Sequence, residues 1–303
     1  MRLEDYPNLM IVKKLLAPLD LSTKKLQEIS AHVEDLKHEV IAHGLFVMAV
    51  SSVEVMLSDV LEYLLVSFPM KLPNNDFKFE KDIFFENYFA LLRKAAEAHI
   101  IGLSYKSFDD YFKRALDHFS IDWADYFDTI GNDIKEIRAT RNLLLHNNLI
   151  VNDQYRATAG PQMREDFGSR IEVDKAYLKK TVEILLSFED QLRLKLADKY
   201  KNYTKINANK RLWSFLFTSP VMPYDDFWRY DEKTDTIYAL KKGKYENNLS
   251  NSETLLLSLW RTQFNEFCKR NKHMTRFNMV HFDSRYQEKI LFFLSIAADF
   301  PFE

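Results

Sequence analysis

The chain has 303 residues, of which 47% are hydrophobic, and a formal net charge of −2, so it can build a large core and is not a disordered protein. It contains only 6 glycines and no G-x-x-x-x-G-K or G-x-G-x-x-G string, which excludes the usual glycine-rich nucleotide-binding loops. The single cysteine, Cys268, excludes an internal disulfide and a cysteine-built zinc site, and with the lack of an apolar signal core it favours a cytoplasmic location.

The first part of the chain predicts a lead-in followed by one very long helix. Residues 1–20 contain two prolines and predict an irregular or short helical lead-in. Ser22 or Thr23 is a suitable N-cap, and apolar residues then recur at helical spacing as far as Phe68, with a gap or bend expected near Gly44. Because acidic residues interrupt the most apolar stretch, we interpret it as a buried bundle helix and not as a membrane span.

Four more helices are expected before residue 200, at residues 81–98, 107–118, 121–147 and 173–199. The third of these should break near Gly131, and the fourth should begin at Asp174 or just before it. Residues 148–171 lie between them and predict a polar loop, long enough to belong to a binding loop or lid.

After residue 200 the apolar residues no longer recur at helical spacing, and we place a domain boundary there. Residues 201–303 are rich in aromatic residues, and two short segments, Trp228–Tyr230 and Thr236–Leu240, predict a small hairpin. Two helices are expected after it, over about 252–270 and 284–297. The fold class is therefore mainly α, with a helical bundle over 1–200 and a smaller C-terminal α or α+β module over 201–303.

The most informative stretch is residues 141–146, which read Arg-Asn-Leu-Leu-Leu-His and continue into Asn-Asn. A histidine can move a proton near neutral pH. An arginine can hold a phosphate and stabilise charge that builds on it. These two residue types suit cleavage of a phosphodiester without a metal ion.

The spacing within this stretch constrains how the side chains can meet. Arg141 and His146 are separated by about 140° around an ideal helix, whereas Asn142 and His146, four residues apart, are neighbours. Either Arg141 reaches around the helix, or two copies of the helix share one site. Asn147 and Asn148 predict the helix C-terminus, since asparagine tolerates the left-handed conformation.

The Arg-Asn-x-x-x-His string at a helix end resembles the R-x(4–6)-H signature of the HEPN superfamily (higher eukaryotes and prokaryotes nucleotide-binding), and the resemblance covers roughly residues 20–200. It implies an all-α, HEPN-like bundle that forms a homodimer, with two signature helices facing one cleft and metal-independent cleavage of RNA, tRNA included. It also implies a bacterial toxin or anti-phage effector without a cofactor, which an antitoxin or other partner protein could restrain.

The resemblance implies a catalytic set of Arg141, His146 and Asn142, to which Glu54 is added as an acidic residue of an early helix. Two interpretations of Glu54 stay open: a charge on a solvent-facing surface, or a carboxylate that orients Arg141 or His146. Arg138 is a candidate RNA phosphate-binding residue, one turn before Arg141. Glu136 is expected to face solvent.

A pair of histidines before residue 44 can also be considered as a metal site. His38 and His43 are five residues apart instead of the four that the zinc-protease pair requires, so we expect no metal site there.

The alternative function is a non-catalytic HEPN-like dimer that binds RNA, a nucleotide or a partner protein.

Overall fold

The structure is a computed structural model and describes residues 8–34, 36–74, 77, 88–105, 108–121, 130–204, 207–208, 211, 228–231 and 236–239. The chain divides into two compact units. We call the first the helical unit; it consists of Val12–Leu65 and Glu97–Lys201. The second unit consists of Met1–Ile11, Val66–Ala96 and Asn202–Glu303. The described residues are mainly helical, which confirms the predicted fold class.

The helices in these parts of the chain are α1 Val12–Val33, α2 Glu39–Ser67, α3 Tyr88–Ser104, α4 Phe108–Phe119, α5 Asn132–His146, α6 Asp153–Ala159 and α7 Lys175–Lys199. Strands β1 Trp228–Asp231 and β2 Thr236–Ala239 pair antiparallel, with Trp228 opposite Ala239, which confirms the predicted hairpin. The two helices expected over 252–270 and 284–297 lie outside the described residues.

Helix α2 runs through the core of the helical unit. It is long and apolar enough to cross a membrane by length and composition alone. Its buried residues include Phe46, Leu57 and Leu61, and they continue along almost its whole length. Full burial of one such side chain stabilises the fold by about 1.5–3 kcal/mol. The same apolar pattern therefore fits the central helix of a bundle.

The N-terminal helices differ from the sequence prediction. Helix α1 begins at Val12 and contains Pro18, so of the two forms expected for residues 1–20 the structure has the helical one from Val12 onward. Leu15 and Leu19 on this first part of α1 are completely buried. Their burial offsets the backbone hydrogen bond that a proline removes from a helix interior. The single long helix is wrong, because the chain breaks between Val33 and Glu39. The gap or bend expected near Gly44 is absent, since α2 continues through that residue.

Helices α5 and α7 begin where the local sequence predicts. Helix α5 begins at Asn132, directly after the predicted break, and α7 begins after Asp174, whose carboxylate accepts a hydrogen bond from Tyr177 N at 2.7 Å. The expected polar loop over 148–171 is only partly correct. It contains α6, which is capped by the side chain of Asn152.

Glu189 of α7 is a fully buried carboxylate against α1. Its Oε2 accepts a hydrogen bond from Thr23 Oγ1 at 2.7 Å, while its Oε1 is buried and has no hydrogen-bond partner among the described residues. Burial raises the pKa of this carboxyl group above the ordinary 4.5. The protonated form is therefore favoured more in the folded protein than in the unfolded chain.

The stabilisation that Glu189 contributes should therefore be complete below about pH 4.5 and decline as the pH rises through its raised folded-state pKa. We predict that Glu189→Gln gains stability relative to the wild type between pH 4 and pH 7, since the amide cannot ionise. Urea unfolding across this pH range measures the difference. The exposed Glu183→Gln on the same helix is the matched control and should show no such trend. A difference for Glu189→Gln that is constant with pH would contradict the assignment.

Candidate active site at the end of helix α5

Helix α5 ends as its sequence predicts. The backbone N–H of Asn147 donates to Leu143 O at 2.8 Å, and that of Leu149 donates to the same carbonyl at 3.1 Å. Asn148 and Leu149 have positive φ angles of 47° and 62°. Asparagine adopts this conformation readily, whereas Leu149 is strained in it and is fully buried, so its packing offsets the strain. This turn leaves the last helical residue, His146, exposed at the helix end.

Glu54 of α2 is directed at α5, which favours the second interpretation of this residue. Its Oε1 accepts a hydrogen bond from Arg138 Nε at 2.8 Å, and its Oε2 accepts one from Arg141 Nη2. Arg141 Nη1 donates to Asn142 Oδ1 at 2.9 Å. The structure thus brings together Glu54, Arg138, Arg141 and Asn142, which we call the arginine cluster.

The arginine cluster carries an excess of positive charge. Among its four residues, two guanidinium groups share one carboxylate, so the formal charges of these four sum to +1. The side chains of Arg138, Arg141 and Glu54 are 21%, 17% and 25% exposed, and water screens them less than it screens a surface ion pair. A partly buried, pre-positioned positive charge of this kind is suited to an anion such as a phosphate group.

His146 lies on the other side of the helix. With Asn142 it lines a pocket of about 260 Å³ between α5 and α6, which we call the α5–α6 pocket, and Arg141 is not part of the lining. His146 makes no hydrogen bond within the parts of the chain that the structure describes. One chain therefore keeps Arg141 and His146 on different faces, as their five-residue spacing predicts, and Asn142 connects the two.

Glu136 was expected to face solvent, and this prediction is wrong because the residue is 5% exposed. Its Oε1 accepts hydrogen bonds from Thr140 Oγ1 at 2.6 Å, Tyr155 OH at 2.9 Å and Arg164 Nε at 2.9 Å. Its Oε2 accepts one from Tyr177 OH at 2.7 Å. A buried carboxylate is tolerated when it is hydrogen-bonded and paired in this way.

This Glu136 network joins α5 to α6, to α7 and to the segment between them. Arg164 also donates to the carbonyl of Glu172 at 2.9 Å and lies 3.6 Å above the ring of Tyr177. Burial raises the pKa of the Tyr177 hydroxyl well above its usual value, and the Glu136 carboxylate raises it further. The same two causes raise the pKa of Tyr155. Both phenols therefore stay protonated and donate to the carboxylate.

The spacing of residues on α5 could have predicted that Glu136 is buried. Glu136, Thr140 and Leu143 are all buried and follow helical spacing of four and then three residues. A carboxylate on a buried stripe requires several donors, and the predicted polar loop contains two of them, Tyr155 and Arg164. The position of these donors depends on the fold of α6 and α7 and could not be read from the α5 sequence.

Comparison with known proteins finds no matching family model, no matching curated protein and no matching solved structure. The relationship to the HEPN superfamily therefore stays a prediction. Among the described residues, no group of three or more histidine, cysteine or carboxylate side chains is arranged to hold a metal ion.

We predict that Glu136→Ala lowers the free energy of unfolding by about 3–5 kcal/mol, because it leaves the Arg164 guanidinium in a half-buried site without its carboxylate. Urea unfolding followed by circular dichroism measures this loss. The control is Glu97→Ala on α3, where the residue is exposed and the expected change is within about 0.5 kcal/mol. A loss below about 1 kcal/mol for Glu136→Ala would show that the network does not stabilise the fold.

Proposed function

We propose that this chain is a metal-independent endoribonuclease of HEPN type. One observation carries the proposal: Glu54 holds Arg138 and Arg141 in a cluster with net positive charge, and Asn142 links this cluster to the exposed His146 at the helix end. A held cation and an exposed imidazole are the two groups that RNA cleavage without a metal ion requires.

In the proposed reaction, the 2′-hydroxyl of RNA attacks the adjacent phosphorus and the bond to the 5′-oxygen of the next nucleotide breaks. His146 accepts the proton of the 2′-hydroxyl and returns a proton to the departing 5′-oxygen. Arg141 neutralises the charge that gathers on the phosphate oxygens, and Arg138 extends the phosphate contact. Asn142 positions the substrate, and Glu54 acts through Arg141 as a positioning residue.

The proposed step produces two RNA fragments with defined ends. The upstream fragment ends in a 2′,3′-cyclic phosphate, or in a 3′-phosphate after water opens the ring, and the downstream fragment begins with a 5′-hydroxyl. Cleavage of the chain involves only the RNA and the proton that His146 carries from the 2′-hydroxyl to the 5′-oxygen, and the later ring opening adds one water molecule, so the reaction requires no cofactor.

A homodimer would resolve the separation of Arg141 from His146, since a second copy could present its histidine to the first copy's arginine. Helix α2 offers a suitable face. Ile41, Met48 and Val55 recur every seven residues and are 50%, 46% and 58% exposed, a repeat typical of helix–helix seams. Val55 directly follows Glu54, so a two-fold contact along this face would bring two arginine clusters near one interface.

The biological setting follows from the resemblance alone. We propose a cytoplasmic toxin or anti-phage effector that cleaves cellular RNA, tRNA included, and that an antitoxin or another partner protein restrains.

One observation favours the alternative, a non-catalytic dimer that binds RNA, a nucleotide or a partner protein. Both terminal nitrogens of Arg141 are already engaged within one chain, by Glu54 and by Asn142. In this alternative the cluster binds phosphate and His146 transfers no proton.

We predict that the purified protein cleaves RNA in the presence of EDTA and leaves 5′-hydroxyl ends. His146→Ala should lower kcat about a hundredfold to ten-thousandfold by removing the proton carrier. Arg141→Ala should lower it about a hundredfold to a thousandfold by removing charge stabilisation. Glu54→Gln should lower kcat up to about a hundredfold with little change in KM, since the guanidinium is less well placed. Single-turnover cleavage of labelled RNA measures all three.

The matched controls are His32→Ala on α1 and Arg114→Ala on α4, which replace exposed residues of the same types outside the site. Both should retain wild-type cleavage. Equal cleavage by every variant, or products with 5′-phosphates, would reject the mechanism. RNA binding without cleavage by the wild type would favour the alternative.

We predict that the wild type is a dimer and that Met48→Glu converts it to a monomer, because a charge would be buried in the α2 contact. Sedimentation equilibrium measures the mass. Leu194→Glu, at another exposed apolar position on α7, is the control and should leave the dimer intact. A monomeric wild type, or a dimer that Met48→Glu does not affect, would remove α2 as the interface.

A further inference from the structure

The α5–α6 pocket has a polar but almost uncharged lining. Its polar residues other than His146 are four amides and one hydroxyl, from Asn142, Asn147, Asn152, Gln154 and Thr158. Among the described residues that form the lining, none is a lysine, arginine, aspartate or glutamate. A phosphate would find no cation in this lining, whereas the arginine cluster beside it contains two guanidinium groups. The pocket therefore suits an uncharged group that has hydrogen-bonding edges.

The size and the remaining lining point to a flat ring. The volume of about 260 Å³ corresponds to about nine water molecules at ~30 Å³ each, which is comparable to a heteroaromatic base of about eight to eleven non-hydrogen atoms. Ala139, Leu143 and Tyr155 complete the lining and are buried, so part of the wall is apolar. Apolar contact suits the faces of a base, and amides suit its edges.

Three of the amides are held in one orientation. Asn152 Oδ1 accepts from Tyr155 N at 2.8 Å, Asn147 Nδ2 donates to Ile150 O at 2.6 Å, and Asn142 Oδ1 accepts from Arg141 Nη1 at 2.9 Å. The chemistry of each partner decides which end of the amide is oxygen and which is nitrogen.

The other ends of these amides have no partner within the described part of the chain. Asn142 and Asn152 retain an NH₂ donor, and Asn147 retains its carbonyl acceptor. Gln154, on the exposed side of α6, makes no side-chain hydrogen bond there and has both a donor and an acceptor to offer. Donors and acceptors fixed in place are what selection of one base edge over another requires.

Asn142 connects the two regions, because it accepts a hydrogen bond from Arg141 and also lines the pocket. We propose that the α5–α6 pocket binds one unstacked nucleobase next to the phosphate held by the arginine cluster, so that the base in this pocket decides where the RNA is cut. This inference rests on the proposed function and specifies its substrate: a single-stranded or loop segment of RNA whose base can turn into the pocket.

The first test measures binding to the full chain by calorimetry, with the four nucleoside 3′-monophosphates and with ribose 5-phosphate as the probe that has no base. We expect at least one nucleotide to bind about tenfold more tightly than ribose 5-phosphate. Gln154→Ala should remove most of this preference, since it deletes one edge contact. Gln27→Ala, at an exposed position of α1 outside the pocket, should retain it.

The second test maps the 5′-hydroxyl ends produced from a random-sequence single-stranded RNA. We expect one base to be enriched beside the cut, the enrichment to fall several-fold in Gln154→Ala, and no change in Gln27→Ala. Circular dichroism melting of both variants establishes that they fold.

The outcomes separate the two proposals. Nucleotides that bind no more tightly than ribose 5-phosphate would overturn the base pocket, whether or not RNA is cut. Cleavage without base preference, or a preference that Gln154→Ala leaves intact, would overturn it as well. Base-dependent binding that Gln154→Ala weakens, in a protein that cuts no RNA, would support the pocket and reject the nuclease.

Discussion

The placement of helix α5 depends on the buried carboxylate of Glu136. A charge removed from water requires several donors, and here a hydroxyl, two phenols and a guanidinium supply them. These donors come from α5 itself, from α6, from α7 and from the segment that joins them. The requirement therefore brings together elements that local helix propensity alone would leave independent.

A second carboxylate acts on another side of the same helix. Glu54 of α2 engages Arg138 and Arg141, which limits the rotation of α5 about its axis. Because the two carboxylates hold different sides, the orientation of Asn142 and His146 toward the α5–α6 pocket follows from packing. Preorganisation of this kind is what catalysis and selective binding both require, since it avoids an entropy cost at the moment of contact.

The two faces of helix α5 differ in charge. Positive charge lies toward α2, and an uncharged amide-lined pocket lies toward α6. Phosphate and base, the two chemically distinct parts of a nucleotide, match these two regions. This match connects the proposed nuclease to the proposed base pocket, although each depends on a different set of contacts.

The sequence by itself determined the features that depend on a few neighbouring residues. The mainly helical class follows from apolar spacing, the end of α5 follows from Asn147 and Asn148, and the start of α7 follows from the side chain of Asp174. The angular separation of Arg141 and His146 follows from helix geometry alone. Such features are set by backbone hydrogen bonds within one or two turns.

Only the tertiary structure decided the features that depend on residues far apart in the chain. The partners of Glu54 lie 84 and 87 residues away, and Tyr177, which donates to Glu136, lies 41 residues away. The helical start of α1, despite Pro18, likewise requires the burial of Leu15 and Leu19. The environment of a charge or an apolar side chain is set by the elements packed around it, and the local sequence does not specify which elements those are.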